Sequence, residues 1–98
     1  MAGWILQSND EMPRLLRLTP GTARTIGRGA HADFVFEAPL VSRVHCRLTA
    51  DASGQLVVED LGSTNGTSVN GTPTARAVLR PDDVLGVGRV SFTVTEGQ

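Results

Sequence analysis

Three short stretches of this chain carry side chains whose chemistry suits an oxyanion. Thr25-Ile26-Gly27-Arg28 is an apolar run ending in Gly and Arg, followed by the loose Gly29-Ala30-His31-Ala32. Leu40-Val41-Ser42-Arg43-Val44-His45 places a hydroxyl, a guanidinium and an imidazole close together. The third stretch runs from Asp60 to Gly71, and its centre, Gly62-Ser63-Thr64-Asn65-Gly66-Thr67, has no bulky apolar side chain, so burial is not its purpose. Its Gly and Asn residues tolerate positive φ and its hydroxyls bond nearby backbone, which predicts a tightly wound, self-bonded loop. Arg supplies forked charged donors, Ser a compact hydroxyl donor, and turn backbone further N–H groups. Arg28, Ser42, Arg43 and Thr64 brought to one point would hold a phosphate group.

The elements that must position these residues read as β-strands. No segment longer than a few residues shows helical periodicity. Short apolar or alternating runs recur between Gly, Pro, Asn and Asp breaks, the pattern of an all-β sandwich or barrel. Strands are expected near Gly3–Gln7, Arg14–Thr19, Ala23–Gly27, Phe34–Val35, Val44–Thr49, Leu56–Glu59, Thr67–Val69, Ala77–Val78, Val84–Val87 and Ser91–Thr95. Pro20-Gly21, Asp51-Ala52-Ser53-Gly54 and Pro81-Asp82-Asp83 are turn signals, and Asn70-Gly71 has the composition of a type I′ hairpin turn. Alternation over Val44–Thr49 puts Val44, Cys46 and Leu48 on the core side and His45, Arg47 and Thr49 on the other. Cys46 then reads as a small core residue, and a Cys46–His45 nucleophile pair is geometrically excluded. With no linker, repeat or low-complexity segment, residues 1–98 form a single domain with a core spanning about 4–95.

Composition narrows the function classes. The chain has 98 residues, 40% hydrophobic and 19% charged, enough to bury a core without staples. One cysteine excludes an intramolecular disulfide, and with two histidines it makes a closed zinc site an unexpected one. No apolar run approaches the ~20 residues of a membrane span, and the first residues lack the basic start and long apolar stretch of a signal peptide, so the expected address is cytoplasmic. A net charge of −1 argues against a broad electrostatic grip on nucleic acid. All nine basic residues are Arg, which weakens any inference from the choice of Arg at one position but not its fitness to bind phosphate there. The acids are scattered among turns, Ser42 and His45 lack the strand-turn-helix setting of a hydrolase elbow, and no helix follows a glycine-rich loop as nucleotide enzymes require. An enzyme is not expected, nor a cofactor or metal.

In order and interval, Gly27-Arg28, Ser42-Arg43-x-His45, Ser63-Thr64-Asn65-Gly66-Thr67 and Val69-Asn70-Gly71 resemble the signature of the forkhead-associated (FHA) domain family. The resemblance extends from about Trp4 to Thr95. It implies a β-sandwich of about eleven strands that binds phosphothreonine peptides with loops at one end. By motif position, Arg28 and Ser42 would bond the phosphate directly, with Arg43 and Thr64 adding contacts, and Asn65 would hold the peptide main chain. His45 matches an architectural histidine that ties loops together, with Gly27, Gly66 and Asn70 supporting the site. Leu40 matches a position that influences which residue is accepted three places after the phosphothreonine, where its apolar side chain implies an apolar preference.

Each residue also has a plainer explanation: an ion pair between Arg28 and Asp33, a turn cap at Ser42, a solvated charge at Arg43, and loop packing at Thr64 and Asn65. The Gly88-Arg89 pair reads as a short turn between the last strands. The expected function is a phosphopeptide-binding adaptor acting downstream of a Ser/Thr kinase, monomeric, and contacting neither nucleic acid nor membrane. The alternatives are a phosphate-independent interaction module on the same sandwich and, more remotely, a carbohydrate-binding sandwich, which the scarcity of aromatic platforms disfavours. A chain ending just past its last strand fits an excised module or a minimal adaptor.

Overall fold

A computed structural model describes residues 3–97, which form eleven strands in two sheets. One sheet has six strands, in the order β2 (Leu15–Leu18), β1 (Trp4–Ser8), β11 (Val90–Glu96), β10 (Val84–Val87), β7 (Thr67–Val69) and β8 (Thr72–Pro73). The other has five: β4 (Phe34–Val35), β3 (Thr22–Gly27), β5 (Cys46–Ala50), β6 (Leu56–Asp60) and β9 (Arg76–Leu79). All pairings are antiparallel except β3 with β4.

The inner faces carry the alternating apolar residues that period-2 strands require. Leu6, Leu16, Leu18, Leu85, Phe92 and Val94 come from the first sheet, and Ile26, Cys46, Leu48, Leu56, Val58 and Leu79 from the second. Phe36 meets Phe92 edge to face, with ring centroids 5.0 Å apart. Arg14 closes that margin of the sandwich, its guanidinium 4.0 Å above the Phe36 ring and its Nη2 donating to the Val35 carbonyl at 2.7 Å.

Two expectations from alternation need correction. The strand expected over Val44–Thr49 runs from Cys46 to Ala50, so Val44 and His45 belong to the preceding loop. Cys46, Leu48 and Ala50 face the core as period 2 demands, but His45 does not point outward: it is fully buried, while Val44 is half-buried. The strand Thr72–Pro73 is not among those expected, because both residues are exposed and no apolar side chain marks it. Asn70-Gly71 before it behaves as expected: φ values of 51° and 83° are those of a type I′ turn, and Val69 pairs with Thr72 across it.

The register fixes which loops share an end. Ile26 pairs with Cys46, Cys46 with Asp60, and Thr67 with Val87. The connections 28–33, 36–45, 61–66 and 88–89 therefore all emerge at one end of the sandwich. At the opposite end the first and last described residues meet, Gly97 N–H donating to the Gly3 carbonyl at 2.7 Å.

Burial, reinforced by the nearby Asp60 carboxylate, pushes the Cys46 thiol up to about 12. The thiolate is the reactive form, so Cys46 is expected to stay inert to a thiol reagent such as DTNB at pH 8 in the folded protein and to react promptly in denaturant. Rapid reaction under native conditions would show that the strand is not buried as described.

Candidate functional site

At the loop-bearing end, β3 delivers Arg28, the 36–45 loop delivers Ser42 and Arg43, and the 61–66 loop delivers Thr64 and Asn65. The approach of β3 to the second loop is close. A Cβ on Gly27 would collide with the Arg43 carbonyl oxygen and stand 2.9 Å from the Val44 Cα, so only glycine fits. Two backbone bonds seal the contact: Arg28 N–H to the Ser42 carbonyl at 2.9 Å and Gly29 N–H to the Arg43 carbonyl at 3.0 Å.

The buried His45 joins the second loop to the third. Its Nδ1 accepts the Ser42 N–H at 3.0 Å, so the ring hydrogen is on Nε2, which donates to the Gly66 carbonyl 2.7 Å away. Gly66 holds φ at 85°, where a side chain would be strained.

Asp60 winds the third loop. Its Oδ1 accepts from the hydroxyls of Ser63 and, at 2.7 Å, Thr67; its Oδ2 accepts the N–H groups of Gly62 and Ser63, each at 3.1 Å. Ser63 Oγ accepts the Gly66 N–H at 3.0 Å. Partial burial works against the Asp60 charge, but the hydroxyls of Ser63 and Thr67 and the two N–H groups outweigh it and hold the carboxyl below its ordinary 3.8. The sequence carried a signal for this residue in the Asp-x-x-Ser spacing of a side-chain-capped turn.

The candidate ligand residues lie on this scaffold. Ser42 Oγ accepts the Thr64 N–H at 3.1 Å, so the second and third loops meet at that hydroxyl. Arg28 is exposed, and its Nε donates to the carbonyl of Val41, the residue before Ser42, at 3.0 Å. The expected alternative for Arg28, an ion pair with Asp33, is not found. Asp33 instead accepts the N–H and hydroxyl of Thr25 at 2.8 and 3.2 Å. The terminal guanidinium nitrogens of Arg28, the hydroxyl hydrogen of Ser42 and the Thr64 hydroxyl have no partner among the described residues. Arg43 is exposed, its stem lying over Gly29, where a Cβ would be 3.2 Å from the Arg43 Cβ. Asn65 Nδ2 donates to the Leu40 carbonyl at 3.2 Å, keeping its amide oxygen and second N–H for other partners.

Asn70 is placed elsewhere. It accepts the Val84 N–H at 2.8 Å and donates to Asp83 at 3.0 Å, clamping the far end of β7 rather than the loops. A separate hollow of about 300 Å³ behind the third loop is lined by Asp60, Gly66, Thr67, Pro73, Thr74 and Ala75. The Asp60 oxygens there are already bonded within the loop, which leaves little to recognise a charged ligand. Among the described residues, no group of His, Cys, Asp and Glu side chains is placed to hold a metal ion.

Comparison with known proteins agrees with this geometry. Residues 24–88 match the FHA domain family. FHA domain-containing protein FhaA of Mycobacterium tuberculosis is 37% identical over 89 residues, covering 91% of this chain and 16% of FhaA. The chain thus spans a small part of that relative. A structure solved in a study of phosphothreonine-dependent FHA domain interactions superposes with a TM-score of 0.87 at 34% identity, covering 95% of both chains. The FhaA FHA domain complexed with the intracellular domain of Rv3910 gives 0.85 at 35% identity, covering 93% of this chain and 98% of that one. The chain belongs to the FHA domain family.

Removing the Asp60 carboxylate strands two hydroxyls and two backbone N–H groups. Asp60→Ala is expected to cost about 1–3 kcal/mol in urea denaturation. Because the folded carboxyl titrates below its unfolded value of 3.8, its contribution is present above that pH and is lost as pH falls through the lower folded value. The stability difference between parent and variant should therefore shrink on acidification below 3.8; a constant difference would remove Asp60 from this role.

Proposed function

We propose that this FHA domain is a phosphopeptide-binding adaptor that recognises phosphothreonine in a protein partner. The observation that carries the reading is the meeting of three loops at Ser42. Arg28 leans on the carbonyl just before it and Thr64 donates to its hydroxyl, and an exposed cluster of donors is left free. Among the described residues Arg28 and Arg43 make no ion pair, and Asp33 and Asp60 are both bonded to neutral groups.

A phosphothreonine brings a charge of about −1.5 to −2 and three acceptor oxygens at neutral pH. Arg28 would supply charged N–H groups, Ser42 and Thr64 their hydroxyls, and Arg43 a second guanidinium from the other side of Gly29. Asn65 would hold the peptide main chain beside Leu40. The bonds from His45, Gly27 and Asp60 fix these donors before ligand arrives, which lowers the ordering cost of binding. The solved relatives support the reading: one comes from a study of phosphothreonine-dependent FHA domain interactions, and another, EmbR of Mycobacterium tuberculosis, is in complex with a low affinity phosphopeptide.

The family consists of interaction modules, and this chain is read as one of them, without catalysis of its own. A Ser/Thr kinase acting upstream, a monomeric state and a cytoplasmic address complete the proposal. Among the described residues no helix is long and apolar enough to cross a membrane.

Hydrogen bonds to charged groups contribute about 1.5–3 kcal/mol, and about 1.4 kcal/mol is tenfold in affinity. Arg28→Ala should thus weaken phosphopeptide binding about ten- to a hundredfold in a calorimetric titration, with the fold unchanged by circular dichroism. Unchanged affinity would exclude the site. Equal affinity for phosphorylated and plain peptide would favour the phosphate-independent module.

The phosphate becomes a monoanion below about pH 6. Affinity should fall as pH drops through that value and fall again with added salt. Flat profiles in both would point to an apolar contact surface.

A further inference from the structure

The two sheets leave four edge strands, β2 and β8 in one, β4 and β9 in the other. Each edge carries backbone groups that could pair with a further strand. Three of them are closed. β4 has two residues, and Arg14 Nη2 covers its Val35 carbonyl at 2.7 Å. β8 is as short and contains Pro73, which has no N–H to offer. At β9 the Thr74 hydroxyl donates to the Arg76 carbonyl at 2.9 Å, and Asp83 accepts the Arg80 N–H at 2.8 Å. β2 is open. Its register pairs Leu16 with Leu6 and Leu18 with Trp4, and Ser8 N–H donates to the Arg14 carbonyl at 3.0 Å. Alternation along an antiparallel ladder then turns the N–H and C=O groups of Leu15 and Arg17 away from β1. Among the described residues these groups have no other partner, and the Leu15 side chain beside them is 51% exposed.

The surroundings of that edge are basic. Arg17 lies on β2, and Arg24 stands level with it on β3, both equally far from the Pro20-Gly21 turn between the strands. By register Arg24 shares the inward face with Leu48, yet it is exposed, so the sandwich is open beside β2. Arg24 bonds only the carbonyl of Ala23, and neither arginine makes an ion pair among the described residues. At the end of β2 a hollow of about 200 Å³ opens between Trp4, Ile5, Arg17 and Leu18. We propose that β2 accepts an extended acidic segment of a partner protein as a seventh strand of the first sheet, independently of the phosphate site. Main-chain bonds to Leu15 and Arg17 hold such a strand, as in other cases of strand addition. Its adjacent side chains point to opposite faces, so one carboxylate meets Arg17 outside and the next meets Arg24 within the open margin. An apolar side chain at the end of the segment fills the hollow. A second copy of this chain is a poorer occupant, because it would add two guanidinium groups to a seam that already holds two.

The test is an NMR titration of the isotope-labelled whole chain with two unphosphorylated peptides. One is rich in Thr and Val, with an adjacent Glu pair and a Leu at one end; the other has Lys in place of Glu. The Glu peptide is expected to shift the Leu15 and Arg17 amides, slow their hydrogen exchange and change the fluorescence of Trp4, the chain's single tryptophan. The Lys peptide should leave all three unmoved. Arg17→Ala should weaken binding of the Glu peptide about two- to fivefold, the range of an exposed charge pair, at an unchanged melting temperature. Arg28→Ala should bind the Glu peptide as the parent does. Equal binding of the Lys peptide overturns the inference by removing the selection for acid. A response confined to Ser42 and Thr64, or lost in Arg28→Ala, overturns it by placing the acidic peptide on the phosphate site. No response at β2 overturns it outright, and sedimentation showing two copies paired through β2 overturns it by giving the edge another occupant.

Discussion

The binding end of this molecule depends on one buried imidazole. His45 takes the Ser42 N–H on Nδ1 and gives its Nε2–H to the Gly66 carbonyl, at 3.0 and 2.7 Å. The two loops it links are separated by some twenty residues of chain and two strands; Phe36 and Val41 anchor the second loop in the core, but Gly62–Gly66 of the third has no bulky apolar side chain with which to pack. A polar loop can be held in a single conformation by hydrogen bonds from a group that is itself immobile. The full burial of His45 makes it such a group, and burial also makes an unpartnered polar atom costly, so the geometry is held from both directions.

Around that link the remaining constraints are mostly steric. β3 reaches the second loop only because Gly27 has no side chain, and the 88–89 turn reaches Leu40 only because Gly88 has none. Asp60 winds the third loop from within. The donors meant for ligand are thus left uncommitted by the scaffold. Binding then demands little rearrangement, which is how a small exposed site can gain useful affinity from a few charge-assisted bonds.

Much of this was legible in the chain. Period-2 alternation and turn residues point to ten of the eleven strands; β1, β2, β5 and β10 bury every second residue. Asn70-Gly71 was read as a type I′ turn because few other pairs accept two consecutive positive φ values. The eleventh strand, Thr72–Pro73, has two exposed residues and no apolar side chain to mark it, unlike the equally short Phe34–Val35. His45 was misplaced for a related reason. Val44 and His45 are the two residues before the strand Cys46–Ala50, and in a loop the side-chain direction no longer follows period 2. The motif's position for Asn70 implies support of the site, yet the side chain bonds Asp83 and Val84 at the other end of β7.

By itself the sequence determined the strand pattern, the turn types and the chemical character of the three loops, because these depend on neighbouring residues and on which side chains tolerate which backbone shapes. Only the tertiary structure decided that Arg28 leans on Val41 rather than on Asp33, that Ser42 and Thr64 touch, and that the Gly88–Arg89 turn abuts Leu40. Those facts depend on the register of strands far apart in the chain and on backbones that pass within contact of one another. A local pattern carries no information about which distant carbonyl will stand where a Cβ would have been.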